Sequence, residues 1–148
     1  MQLVLPDELH NRIQALSAEG DSLAESTTYE KAIEKYNEAW SLLPDPKNEW
    51  EASTWLLAAI GDACFFSGYY TSGIEALQYS LTCPGGADNP FIFLRLGQCQ
   101  FEKNEYAAAT ENLCSAYMLQ GKEIFASESP KYFEFLKTRI QSPASGEW

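Results

Sequence analysis

The stretch "LLAAIGDACFF", Leu56 to Phe66, is apolar almost throughout and predicts the middle of a buried helix. Gly61 lies near its centre, where glycine costs roughly 1 kcal/mol relative to alanine. Two similar segments also end in glycine, "LSAEG" at Gly20 and "FLRLG" at Gly97. Because the chain accepts this cost three times in one pattern, we infer that the packing of the helices requires these glycines.

The residues that follow the three glycines share one register. A tyrosine stands nine residues later, a small residue twelve and nineteen residues later, and a helix breaker twenty-four residues later. The residue sixteen positions later is large in each copy: Tyr36, Leu77 and Leu113. Antiparallel helices pack closely where one offers a notch and the other offers bulk. The pattern is therefore an internal repeat in which each glycine is a notch for the following helix.

This register resembles the tetratricopeptide repeat, a helix–turn–helix unit of 34 residues. The first copy matches the signature best, whereas the later copies depart from it at Cys64, Gly73 and Gln100. The resemblance implies an all-α fold, a right-handed superhelical solenoid of three repeats with a C-terminal capping helix. The predicted segments are repeats over about 13–46, 54–87 and 90–123, a capping helix over about 130–140, a single domain over 1–141 and a flexible tail over 142–148.

Helix signals refine this outline. Thr27 or Thr28 is expected to cap the second helix. The first two repeats are separated by seven extra residues, "KNEWEAS", which contain no helix breaker. The sequence therefore predicts a long third helix from about Lys47 to Ser67, with two extra turns at its start that carry Trp50.

Composition limits the possible classes of protein. The chain has 148 residues, of which 45% are hydrophobic, so it is long and apolar enough to bury a core. Its start, "MQLVLPDE", predicts no signal peptide, and no segment approaches the roughly 20 apolar residues of a membrane span. Four scattered cysteines and one histidine do not form a metal-ligand pattern, so we expect no metal, no cofactor and reduced cysteines in the cytoplasm.

In the tetratricopeptide family the first helix of each repeat lines a concave groove, at positions that bracket the glycine. The resemblance therefore implies a partner-binding groove with aromatic residues in its centre and mostly acidic charge, and about half of the aromatics are expected to be core. The candidate residues are Asp21, Glu25, Trp55, Asp62, Phe65, Phe66, Phe91, Arg95, Gln98, Phe101 and Glu102.

The charge of this groove argues against one familiar function of the family. Co-chaperones of Hsp70 and Hsp90 hold a C-terminal carboxylate with a clamp of lysine, arginine and asparagine, and of the corresponding positions here only Arg95 fits. The net charge of −11 likewise argues against nucleic acid as the partner. A protein partner with a basic surface is expected instead, since the negative field would speed its capture.

No phosphate loop, nucleophile elbow or histidine-centred constellation occurs in the sequence, so we predict a non-enzymatic protein-binding module.

The stretches "EWEASTWLLAAIGDACFF" and "CPGGADNPFIFLRLGQCQFE" resemble small standalone bacterial tetratricopeptide proteins, some of which are similar to immunity proteins encoded beside toxins. The resemblance implies an immunity protein against a toxin such as a basic nuclease. The alternatives are a chaperone of the type III secretion translocator class and a regulatory or peptide-sensing subunit. The groove, the extension near Trp50 and the convex face all remain possible binding surfaces.

Overall fold

The computed structural model describes residues 4–148, so Met1–Leu3, at the start of the stretch that predicts no signal peptide, lie outside the described residues. Within residues 4–148 the chain forms α-helices and short 3-10 turns without any strand. The helices are α1 (Asp7–Glu25), α2 (Tyr29–Leu42), α3 (Glu51–Ser67), α4 (Tyr70–Ser80), α5 (Pro90–Glu102), α6 (Tyr106–Gln120) and α7 (Pro130–Arg139). The predicted all-α fold of helix–turn–helix repeats is confirmed.

The helices belong to two compact units, residues 4–87 and residues 88–148. In the first unit α1 packs on α2, and α3 packs on both α2 and α4. In the second unit α5 packs on α6, and α7 packs on α6 and on a 3-10 turn at Lys122–Phe125. The arrangement of residues 1–141 as a single domain stays a prediction.

The three glycines of the repeat are notches, as the sequence predicts. A Cβ atom added to Gly61 would lie 2.4 Å from Cγ of Leu77. The same atom on Gly20 would lie 2.5 Å from Cε1 of Tyr36, and on Gly97 it would lie 2.7 Å from Cγ of Leu113. Each contact joins the two helices of one hairpin, so the large residue sixteen positions after the glycine fills the space that the missing side chain leaves.

The turn between the two helices of each hairpin also repeats. Thr27, Gly68 and Asn104 occupy equivalent positions, seven residues after the notch glycine, and all three have a positive φ of 61°, 80° and 62°. The amide of the next residue then donates to a carbonyl five residues back, for example Tyr69 to Cys64 at 2.9 Å. This left-handed turn reverses the chain so that the second helix can fold onto the notch.

Two local predictions differ from the structure. Thr28 is the N-cap residue of α2, as predicted, but its side chain makes no capping hydrogen bond, and Oγ1 lies 3.2 Å from Oγ of Ser26 instead. Helix α3 does not begin at Lys47, because Lys47–Glu49 form a 3-10 turn and α3 starts at Glu51.

The backbone of Trp50 separates that 3-10 turn from α3. Trp50 is extended, with φ −101° and ψ 137°, and its indole Nε1 donates to the carbonyl of Pro44 at 2.8 Å. The side chain is only 8% exposed and belongs to the core of the first unit with Leu43 and Leu56. Burial of this tryptophan, together with its hydrogen bond back to the loop, replaces the two helical turns that the sequence predicts.

The C-terminal Trp148 contacts two aromatic rings. The ring of Trp148 lies 5.9 Å from that of Tyr117 and 6.0 Å from that of Phe133. Lys137 lies over Phe133, with Nζ 4.8 Å from the centroid of the ring. The flexible tail over residues 142–148 stays a prediction.

The notch predicts a strong coupling between Gly61 and Leu77. Gly61→Ala should lower the free energy of unfolding by about 1–3 kcal/mol through overpacking, although alanine is the better helix former. Leu77→Ala should cost about 2–5 kcal/mol alone, yet the double variant should cost less than the sum of the two, since the added methyl group then has room. Urea unfolding of the four proteins measures this cycle, and purely additive costs would contradict the notch.

The left-handed turn predicts strain at Thr27, because a β-branched residue rarely adopts positive φ. Thr27→Asn should therefore raise the free energy of unfolding by about 1 kcal/mol. The reciprocal change at the equivalent position of the second unit, Asn104→Thr, should lower it by a similar amount. Thermal unfolding of both variants checks the pair, and a destabilised Thr27→Asn protein would show that the threonine is not strained.

Candidate functional site

Three predicted site residues of the first unit, Asp21, Glu25 and Asp62, lie near the phenol of Tyr36. This ring fills the notch at Gly20, and its hydroxyl donates to Oδ1 of Asp21 at 2.6 Å. Burial of the ring, the hydrogen bond to Asp21 and the negative charges of Asp21, Asp62 and Glu25 all raise the pKa of the phenol. Carboxylates from α1 and α3 therefore lie close enough to the Tyr36 hydroxyl to favour its neutral, hydrogen-bond-donating form.

Helix α3 also carries two exposed aromatic rings. Trp55 is 39% exposed and Phe66 is 49% exposed, whereas Phe65 is half-buried. Phe66 stacks on Tyr29 with ring centroids 5.4 Å apart and meets Phe65 edge-on at 5.1 Å. The first unit thus combines carboxylates with accessible aromatic surface, which suits contact with a partial positive charge or an apolar side chain.

In the second unit the predicted groove residues are engaged by their own chain. Arg95 is 6% exposed, and its Nη1 donates to Oε1 of Gln98 at 2.7 Å and also to Oε1 of Glu128. Gln98 is fully buried and donates through Nε2 to the same Glu128 oxygen at 2.8 Å. The guanidinium also lies 5.0 Å from the ring centroid of Phe91, which is half-buried. Arg95 is thus a buried, paired cation.

The remaining predicted residues of the second unit contact α7. Glu102 accepts from the hydroxyl of Tyr132 at 2.7 Å and pairs with Nζ of Lys131 at 2.6 Å. Burial raises the pKa of Glu102, but the hydrogen bonds from Lys131 and Tyr132 outweigh it, and the net pKa is lowered. Phe101 meets the rings of Tyr132 and Phe135 at 5.4 and 5.0 Å. Residues 128–135 therefore occupy the side of α5 on which these predicted residues lie.

The sequence contains a signal for this occupancy. A terminal helix must cover the last apolar face of a repeat protein, and "PKYFEFLK" supplies aromatic and basic residues at the spacing that reaches Phe101 and Glu102. The role of Glu128 as the partner of Arg95 could not be predicted in this way, because Glu128 lies in the irregular segment before α7.

The structure also bears on the other classes of site. Among residues 4–148 no cluster of three or more histidine, cysteine or acidic side chains has the geometry to hold a metal ion. In the same range no helix is long and apolar enough to cross a membrane. Cys64, Cys83 and Cys99 are buried, and burial raises the pKa of the Cys64 thiol to about 11.

Comparison with known proteins gives matches in structure only. No protein-family model matches the chain, and no curated protein matches it. Among solved structures, the type III secretion translocator chaperone SycD of Yersinia enterocolitica matches with a TM-score of 0.68 at 18% identity, over 86% of this chain and 91% of that chain. SycD in complex with a peptide of the translocator YopD gives a TM-score of 0.69 at 18% identity, over 86% and 92%.

A tetratricopeptide domain also matches. The domain of Sgt2 from Aspergillus fumigatus gives a TM-score of 0.65 at 21% identity, over 88% of this chain and 84% of that chain. At these identities the likeness shows the fold alone. The chain thus has the fold of tetratricopeptide domains.

The buried network predicts a structural role for Arg95. Arg95→Met would leave the Glu128 carboxylate without its cation, and loss of one partner of a buried pair costs about 3–5 kcal/mol. Glu128→Gln on that background removes the stranded charge and keeps an acceptor for Gln98, so the double variant should recover at least about 1 kcal/mol. Urea unfolding measures both. If Arg95→Met leaves the stability of the protein unchanged, the network contributes nothing to it.

Proposed function

We propose that the chain is a non-enzymatic protein-binding module that holds a basic segment of a protein partner. The observation that carries this proposal is the placement of Asp21, Glu25 and Asp62 near Tyr36, with the exposed ring of Phe66 one helical turn after Asp62 on α3. Carboxylates held by helices make a fixed negative surface, and the neighbouring aromatic surface supplies apolar contact. Binding there would need no cofactor and no reactive side chain.

The charge of the whole chain supports the choice of partner. The formal net charge is −11, so long-range attraction would speed the capture of a basic partner in a salt-dependent manner. Arg95, the one basic residue among the predicted groove residues, is buried and paired with Glu128 in the second unit. It therefore does little to offset the negative charge that a partner would meet.

Two outcomes of binding fit this surface. An escort function, as in a chaperone of the translocator class, is supported by the likeness in fold to SycD, which has been solved with a peptide of YopD. A neutralising function, as in a cytoplasmic bacterial immunity protein, is supported by the acidity of the chain, which would complement a basic toxin such as a nuclease. Both are forms of the same proposed protein-binding activity.

The partner decides between these outcomes. Hydrogen exchange of the purified complex measures which backbone amides of the partner are protected. Protection should cover a short extended segment if the partner is escorted, or a folded active-site surface if a toxin is neutralised. An enzyme assay of the partner in the complex gives an independent answer, because only a neutralised toxin loses its activity.

Variants on the first unit test the surface itself. Phe66→Ala should weaken binding of the copurified partner by at least about 2 kcal/mol, the usual threshold for an energetic anchor. Glu25→Lys should slow association and flatten its salt dependence, since Glu25 is an exposed carboxylate of the proposed surface. Glu111→Lys, an equal change of charge at an exposed position of α6, is the control and should bind as the parent protein does.

Stopped-flow or biolayer measurements at two salt concentrations give the association rates, and thermal unfolding confirms that each variant folds. If Glu25→Lys and Glu111→Lys behave alike, the effect of charge is not local and the proposed surface is wrong.

A further inference from the structure

The first unit contains a cavity of about 1000 Å³. Of the predicted groove residues, only Trp55 lines it. It lies between the start of α1, the segment Asn48–Ala52 and the loop after α4 that carries Cys83 and Pro84. Its volume is at the upper end of the range of small-ligand and side-chain pockets, about 300–1,000 Å³. The cavity is therefore large enough to accept a long side chain together with the residues that flank it.

Hydrogen bonds hold the walls of this cavity in place. Trp50 is fixed by its bond to the carbonyl of Pro44 at 2.8 Å, and Oγ1 of Thr54 donates to the carbonyl of Pro84 at 2.7 Å, which ties the loop after α4 to α3. Trp50 and Cys83 are buried, so they form an apolar floor, whereas Trp55 is exposed at the edge. The pocket is thus preformed, which reduces the entropic cost of filling it.

The charge around the cavity is negative. Its lining includes the carboxylates of Asp7, Glu49 and Glu51 and the imidazole of His10, and it includes no lysine or arginine from residues 4–148. Asp7 and Glu51 lie in the first turns of α1 and α3, where each helix N-terminus carries roughly half a positive charge. Two such termini offset about one of the three carboxylate charges, so the rim remains negative, with Glu49 outside either α-helix.

We propose that this cavity is an anchor pocket for an arginine of the partner, flanked by apolar residues. The guanidinium would lie over the exposed ring of Trp55 and against the carboxylate rim, while its aliphatic stem and neighbours would cover the floor. Arginine suits this position better than lysine because its planar cation stacks on aromatic rings and is more weakly hydrated. A second copy of the chain is a poorer occupant, since two acidic rims of a chain with net charge −11 repel each other.

This inference rests on the proposed function, because the occupant is part of a basic protein segment. It adds a second contact in the same unit, formed by residues other than Asp21, Glu25 and Asp62. A partner held at both places would present an arginine at one end of its bound segment.

The indole N–H signals of the full chain labelled with ¹⁵N report on the pocket directly, and Trp55→Phe identifies the signal of Trp55. The probe is the acetylated and amidated peptide Leu-Arg-Leu-Arg-Leu, compared with the same peptide in which citrulline replaces both arginines. The arginine peptide should shift the Trp55 signal in a saturable manner, and the neutral citrulline peptide should bind at least tenfold more weakly. Equal shifts with the two peptides, or no shift of Trp55, would overturn the proposal.

A pair of charge-reversal variants shows whether the peptide responds to charge in the pocket or to the net charge of the chain. Glu49→Lys should raise the dissociation constant of the arginine peptide at least tenfold. Glu8→Lys, which makes the same change in the first turn of α1 at an exposed residue outside the lining, should raise it less than twofold. Similar effects of the two variants would show that net charge alone attracts the peptide. A doubled molecular mass in light scattering that disappears in Trp55→Phe would assign the pocket to a second copy instead.

Binding of the native partner to the variants distinguishes failure of the anchor pocket from failure of the proposed protein-binding function. If partner binding depends on Glu25 and Phe66 but not on Glu49 and Trp55, the anchor pocket is wrong and the protein-binding function stands. If partner binding depends on none of these residues while the arginine peptide still shifts Trp55 in a charge-dependent manner, the proposed function fails and the cavity remains an arginine-binding pocket.

Discussion

The contact between a helical glycine and the large residue sixteen positions later is the constraint on which each hairpin depends. A Cβ atom at Gly20, Gly61 or Gly97 would approach the partner side chain to 2.4–2.7 Å, closer than carbon atoms can pack. The glycine costs the first helix roughly 1 kcal/mol of propensity, whereas full burial of the leucine that fills the notch is worth about 1.5–3 kcal/mol. The pair is therefore favourable in the hairpin, and the left-handed residue at the turn sets the length of the loop that brings the two together.

The first hairpin differs from the others because a tyrosine fills its notch. The aromatic ring of Tyr36 replaces the leucine of the later copies, and its hydroxyl extends past the notch to reach Asp21. Packing of the repeat and placement of Asp21 thus depend on the same residue. A leucine there would preserve the hairpin but remove the donor to Asp21, so this placement of the carboxylate is specific to the first copy.

The regular features of the fold could be predicted from the sequence because they repeat. The register of Gly20, Gly61 and Gly97 predicts the hairpins and the residues that fill the notches, and both predictions are confirmed by the contacts. The start of α3 could not be predicted in this way, because "KNEWEAS" has no counterpart in the other copies. Its structure depends on the tertiary burial of Trp50 and a hydrogen bond to Pro44, which local helix signals do not encode.

The candidate site was harder to predict, because a register position does not say what covers it. Positions on α3 and α5 are equivalent in the repeat, yet Phe66 is exposed on α3, whereas its counterpart Glu102 on α5 is paired with Lys131 and Tyr132. The difference arises within the second unit, where the segment from Glu128 to Phe135 supplies an acid, a base and two aromatic rings to α5. The single arginine of the predicted groove is consequently neutralised inside its own unit, whereas Asp21, Glu25 and Asp62 lie near a neutral phenol. This uneven pairing is the physical reason to seek a basic partner for the first unit.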